Sequence, residues 1–152
     1  MESKSGHVSL DGMEIELIDL PGIYSLSSSS PEEEVAFQVL TSQGIDLIVN
    51  VIDSSVPQRN LYLTTQLAEL RIPMLLVFNV ADAAEKKGLQ FDLPKLERYF
   101  GAEIVQTVGS RGSGVTRLRE ALRNALSSPD RRAPFLLYTS DASVRPPVCN
   151  LR

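Results

Sequence analysis

The chain has 152 residues, of which 43% are apolar and 22% charged, the composition of a soluble globular protein. A chain of that length forms one domain that buries about 70% of its unfolded surface. No apolar run approaches the ~20 residues that span a bilayer, and Met1–Lys4 leads into no apolar signal segment. The single cysteine, Cys149, excludes an internal disulfide and fits a reducing compartment.

The net charge of −4 is unevenly spread: residues 1–109 carry 7 Lys/Arg against 16 Asp/Glu, and residues 110–152 carry 8 against 3. The basic end does not read as a nucleic-acid footprint. Arg117, Arg119 and Arg123 alternate with a periodic apolar set, and no aromatic residues are interleaved, so they read as a solvated helix face.

In chain order, Gly6–Leu10, the turn Asp11-Gly12 and Met13–Asp19 predict a hairpin, because Asp-Gly accepts the positive φ a two-residue turn needs. Met13, Ile15 and Leu17 alternate with Glu14 and Glu16, as in a strand with one wetter face. Ser30-Pro31-Glu32-Glu33 predicts a helix start, with Ser as N-cap, Pro first and Glu third, followed by Val35, Val39 and Leu40 on one side. Ile45–Asp53 and Pro73–Asn79 read as strands buried on both faces of a parallel sheet, and Ala102–Val108 as a third. Between them, Pro57–Leu70 and Leu93–Phe100 read as helices. Val115, Leu118, Leu122 and Leu126 give a closing helix one apolar stripe.

Strands alternating with helices predict an α/β fold with an open, mostly parallel sheet and helices on both faces. Ligands of such sheets sit at the carboxyl ends of the strands. Three motifs fall there. In Asp19-Leu20-Pro21-Gly22, Asp19 would hold a magnesium-bound water and the Gly22 N–H would point at a γ-phosphate, a close approach that a residue without Cβ permits. The bland alternative is a strand ending in a Pro-Gly turn.

In Asn79-Val80-Ala81-Asp82, the Asp82 carboxylate would accept from the guanine ring N–H and amino group, with Asn79 bracing the loop; the alternative makes Asp82 a helix N-cap boxed by Glu85. Gly109-Ser110-Arg111 follows the third strand, where GTPases present backbone N–H groups to the guanine carbonyl from a Ser-Ala-Lys/Arg turn; the alternative is a Gly-rich loop. Each motif alone is weak, and their order and shared placement carry the reading. The matching phosphate cradle, Gly-x-x-x-x-Gly-Lys-Ser/Thr, occurs nowhere in the chain. The expectation is therefore a P-loop GTPase-like domain lacking its first strand, P-loop and first helix.

Two longer stretches sharpen this. Asp19-Leu20-Pro21-Gly22-Ile23-Tyr24-Ser25-Leu26 with Ser30-Pro31-Glu32-Glu33, and Arg59-Asn60-Leu61-Tyr62-Leu63-Thr64-Thr65-Gln66-Leu67-Ala68-Glu69-Leu70 with Ile72-Pro73, closely resemble the G domain of the bacterial ferrous iron transport protein B family. The resemblance runs from about residue 2 to residue 126. It implies a guanine-nucleotide-binding domain at the cytoplasmic face of the bacterial inner membrane, attached to helical regulatory and membrane permease domains of one longer protein for Fe²⁺ uptake. It implies GTP or GDP with Mg²⁺ as ligands, Asp19 and Gly22 in the magnesium and γ-phosphate roles, Asn79 and Asp82 in the guanine role, and residues 19–34 as a mobile switch. No nucleic-acid partner is implied.

By the same resemblance the magnesium-binding first switch lies before Met1. This fragment is expected to be soluble by itself but inactive, with negligible GTP affinity and an exposed apolar sheet edge that promotes association. Alternatives are another P-loop GTPase acting on ribosomes or tRNA, and a non-catalytic interaction module that has lost nucleotide binding.

His7 reads as a strand-surface residue and Glu32–Glu34 as the acidic first turn of a helix rather than an iron site. Residues 127–152 are expected to form an irregular tail outside the 1–126 domain, with Leu136–Ala142 resembling the translation of a sequencing adapter rather than native sequence.

Overall fold

The computed structural model describes residues 4–27, 29–42, 44–128 and 150–151. A hairpin comes first, β1 (Lys4–Leu10) antiparallel to β2 (Met13–Asp19), with Lys4 opposite Asp19 and Leu10 opposite Met13. Its turn is the expected one: Asp11 and Gly12 both take positive φ, 51° and 85°. The alternation is only half realised, because Met13 and Ile15 are half-buried while Leu17 is exposed.

Helix α1 (Pro31–Thr41) begins as read: the Ser30 side chain accepts from the Glu33 N–H at 3.2 Å and Pro31 opens the first turn. Its buried residues are Ala36 and Leu40, with Val35 and Val39 half-buried. Then come β3 (Ile48–Asp53), α2 (Pro57–Glu69), β4 (Met74–Asn79), α3 (Ala81–Lys86), the short β5 (Leu89–Gln90), α4 (Leu93–Phe100), β6 (Glu103–Gln106) and α5 (Val115–Ser127). The main sheet is parallel, in the order β3-β4-β6, with Asp53 beside Asn79 and Phe78 beside Gln106. The dipeptide β7 (Asn150–Leu151) pairs antiparallel with β5. The expected tail segment Leu136–Ala142 lies outside the described residues.

Two apolar layers sandwich the sheet. On one side Ile48, Ile52, Leu76, Phe78 and Ile104 pack against Leu40 of α1, Leu63 and Leu67 of α2, and Leu96 and Phe100 of α4. Phe78 and Phe91 meet edge-to-face with centroids 5.2 Å apart. A buried polar tie fixes β3 to α2, Asn50 Nδ2 donating to Thr64 Oγ1 at 2.9 Å. On the other side Leu75 and Val105 pack against Ala121, Leu118 and Leu122 of α5. The centre of that contact is Ala121, a small residue that the Leu spacing does not reveal, and Val115 at the head of the expected stripe is exposed.

One expectation fails here. β4 is buried on both faces, but β3 is buried on one only: Ile48, Asn50 and Ile52 point inward while Val49 and Val51 are exposed. The reason is coverage. α5 lies over β4 and β6, and among the described residues no element covers the outer face of β3 or pairs with its free edge.

Gly114, just before α5, is required by the fold. It sits at φ +80°, and a Cβ there would lie 2.2 Å from the Gln106 carbonyl oxygen.

Candidate nucleotide-binding loops

β4 and β6 end side by side, and the loops that follow them are tied together by one side chain. Asn79 Oδ1 accepts from the Gly109 N–H at 2.9 Å and from Thr107 Oγ1 at 3.0 Å. The Ala81 N–H donates to the Thr107 carbonyl at 3.2 Å. From the opposite flank the Ser54 hydroxyl and N–H donate to the Asn79 carbonyl. Asn79 thus braces its own loop against residues 107–111. Thr107 and Ser54, both buried, were missed; a hydroxyl just past a strand end is their only sequence signal.

Asp82 does not cap a helix. Val80, in the left-handed conformation at φ 59°, is the residue before α3, and no side chain caps it. Asp82 stands in the first turn with its carboxylate 3.6 Å from Arg111, whose side chain is 66% exposed. So exposed a pair contributes about 0–1 kcal/mol and opens readily to a competing donor. The helix-cap alternative for Asp82 is thereby removed. Ser110 and Arg111 are exposed in a short 3₁₀ turn, Gly109–Arg111. Beside these loops lies an open cavity of about 410 Å³ whose lining includes Asp82, Ala84, Phe91 and Val108.

Asp19-Leu20-Pro21-Gly22 follows β2, in the hairpin rather than the main sheet. Asp19 and Gly22 are exposed, with open space where a Gly22 Cβ would stand, whereas Leu20 packs onto the main core together with Ile23 and Leu26. No hydrogen bond joins it to Asn79, Asp82 or Gly109 among the described residues. The Glu32–Glu34 run opens α1 as a helix-dipole partner, and His7 is exposed on β1 opposite Glu16.

Because the Gly109 N–H is taken up by Asn79 Oδ1 and the Arg111 N–H by the Val108 carbonyl, these loops can offer a ligand the Asp82 carboxylate as acceptor and the Ser110 N–H as donor. The Gly-rich cradle and lysine that a triphosphate with Mg²⁺ requires occur nowhere in the chain.

A sequence profile described as ferrous iron transport protein B matches residues 1–122. The chain is 42% identical over 138 residues to the Fe(2+) transport protein A/Fe(2+) transporter FeoB fusion protein of Porphyromonas gingivalis, covering 86% of this chain and 16% of that protein. It is 38% identical over 126 residues to the Fe(2+) transporter FeoB of Escherichia coli K12, covering 80% of this chain and again 16% of the relative. The chain thus spans about a sixth of these relatives. Among solved structures, the FeoB G-domain from Methanococcus jannaschii superposes with a TM-score of 0.76 at 34% identity, covering 84% of this chain and 81% of that one. The cytosolic domain of the Thermotoga maritima FeoB iron transporter in its GMPPNP form gives 0.77 at 33% identity, covering 83% and 50%. A profile match over most of the chain and a shared G-domain fold lead to one assignment: this chain belongs to the ferrous iron transport protein B family and carries the fold of its N-terminal G domain.

Proposed function

We propose that this chain is the base-reading and switch portion of a guanine-nucleotide-binding domain that regulates Fe²⁺ passage when joined to the rest of its protein. The observation that carries the reading is Asn79 Oδ1 holding Gly109 and Thr107 together beside an Asp82 carboxylate that caps nothing. Asp82 accepts the two adjacent N–H donors of guanine, which adenine does not present. The Ser110 N–H serves the guanine carbonyl, since those of Gly109 and Arg111 already donate to Asn79 Oδ1 and the Val108 carbonyl. Asp19 holds Mg²⁺ through a water, and the Gly22 N–H meets the terminal phosphate.

Phosphate affinity then depends on a strand and P-loop placed at the free edge of β3, where Val49 and Val51 lie bare. Hydrolysis belongs to the complete domain, at the cytoplasmic face of the membrane. The helical and permease domains are its partners within the same protein. Among the described residues no helix is long and apolar enough to cross a membrane.

The test is fluorescent GTP and GDP binding to this chain beside a version extended upstream through Gly-x-x-x-x-Gly-Lys-Ser/Thr. Binding by the extended chain alone, with guanine preferred over adenine, supports the reading. Failure of both to bind overturns it and favours a module that has lost nucleotide binding.

A further inference from the structure

The loop from Leu20 to Ser30 joins Asp19–Gly22 to α1, and it is fastened to two helices by separate contacts. On the α2 side, the Leu26 N–H donates to Gln66 Oε1 at 2.9 Å, and the Arg59 guanidinium lies 3.5 Å from the centroid of the Tyr24 ring. On the α1 side, beside the Ser30 cap, three groups of the loop converge on one carboxylate. Ser25 Oγ donates to Glu33 Oε1 at 2.6 Å; Ser27 Oγ and the Ser29 N–H donate to Glu33 Oε2 at 2.9 and 3.0 Å. The Ser29 hydroxyl, 2.7 Å from Ser27 Oγ, can donate to it, whereas the Ser25 and Ser27 oxygens, 2.9 Å apart, each have their single proton committed to Glu33.

We propose that Glu33 is the latch of this loop, a positioning residue whose ionised carboxylate gathers Ser25, Ser27 and Ser29 and thereby fixes where the Asp19–Gly22 end is held. The chemistry favours this residue type. A carboxylate offers acceptor sites on both oxygens, and hydrogen bonds to a charged acceptor are about twice as strong as neutral ones. A carboxamide of the same shape offers one acceptor oxygen and places an N–H₂ against hydroxyls arranged to donate. The carboxyl is held below the ordinary glutamate range, first by the Ser25 hydroxyl and then by those of Ser27 and the Ser29 N–H, which keeps the latch closed near neutrality.

The contacts of Ser27 and Ser29 with Glu33 are exposed and that of Ser25 is part-buried, so the latch can open while Leu20, Ile23 and Leu26 stay packed on the core. The part that moves is then the serine segment before α1. That the motion governs a phosphate contact rests on the proposed role of Asp19–Gly22; the latch itself is measurable with no nucleotide present.

The experiment is amide hydrogen exchange on the full 152-residue chain, comparing it with E33Q and S25A/S27A. The double variant leaves the Ser30 cap and the Glu33 carboxylate in place, so it separates latch from helix cap. About tenfold faster exchange at Leu26 and Ser29 in both variants, with Leu75–Phe78 of β4 unchanged, is the expected result. Unchanged loop exchange in S25A/S27A overturns the proposal, whatever happens within α1. Equal acceleration of loop and β4 in S25A/S27A also overturns it, because the serines then support the whole fold. Neither outcome bears on guanine binding, which fails or holds separately.

Discussion

Val51 and Val77 are register partners on adjacent parallel strands and face the same side of the sheet, yet Val51 is 59% exposed and Val77 only 3%. Identical side chains on neighbouring strands differ because β4 lies between two strands on the face where α5 packs, while no described element covers that face of the edge strand β3. Val49 repeats the pattern against Leu75, at 38% and 1%. With the free edge of β3, the two valines make an apolar seam of the kind that strands from another copy pair with.

The first prediction concerns that seam. V49K/V51K should suppress concentration-dependent association of this chain in sedimentation velocity while changing its unfolding free energy by less than about 0.5 kcal/mol, since exposed sites are tolerant. In the chain extended upstream through the P-loop, the same pair should cost about 3 kcal/mol or more, as buried charges do. Equal effects in both chains would show that the seam is not where the upstream strand docks.

Asn79→Ala should destabilise the fold by about 1–3 kcal/mol in urea unfolding, because the Gly109 N–H and the buried Thr107 hydroxyl both lose their acceptor. Thr107→Val removes one donor only and should cost less. If Asn79→Ala leaves stability unchanged, the two loops are held by something other than this side chain.

Gly114→Ala combines a left-handed backbone with a Cβ placed 2.2 Å from a carbonyl oxygen. A cost of about 1–3 kcal/mol or more is expected from the strain alone. Gly22→Ala meets open space and should leave stability nearly unchanged. Thermal unfolding of the two variants side by side gives the comparison.

At the loops after β4 and β6, Arg111→Ala should change stability by less than about 0.5 kcal/mol, since the pair with Asp82 is exposed. In the extended chain, Asp82→Asn should lower GTP affinity and favour xanthosine triphosphate, whose base offers an acceptor where guanine offers a donor. Competition binding with the two nucleotides measures the exchange. Undiminished GTP preference would place base recognition elsewhere.

The Glu33 latch also gives a pH dependence with a definite sign. Its carboxyl is depressed below 4.5, the ordinary glutamate value, by Ser25 first and then Ser27 and Ser29. The folded loop therefore gains stability that is fully present above 4.5 and is lost as pH falls through the lower folded value. Carbon-detected NMR titration should show Glu33 protonating below the ordinary glutamate value of 4.5, and closer to it in S25A/S27A. An unchanged Glu33 titration in that variant would contradict the serine cage.

Several parts of this molecule were legible residue by residue. Ser30-Pro31-Glu33 started α1, Asp11-Gly12 turned the hairpin, and Leu93–Phe100 formed α4 with the bounds its pattern indicated. The loops after β4 and β6 were legible because the motifs sit at strand ends, and parallel strands bring such ends together. Less of the loop before α1 could be read: the fastening of Leu26 to Gln66 spans forty positions, and no spacing rule reaches that far.

What the sequence determined by itself were the features set by local sterics and hydrogen bonding: turn handedness, helix starts and the order of strands and helices. The tertiary structure alone decided that β3 shows one bare face and that Asp82 meets Arg111 rather than capping α3. It likewise decided that Ala121, not a leucine, centres the α5 contact and that three serines close on Glu33. The physical reason is common to all four. Each depends on which distant element comes to lie against a residue, and packing distributes that coverage after local structure has formed.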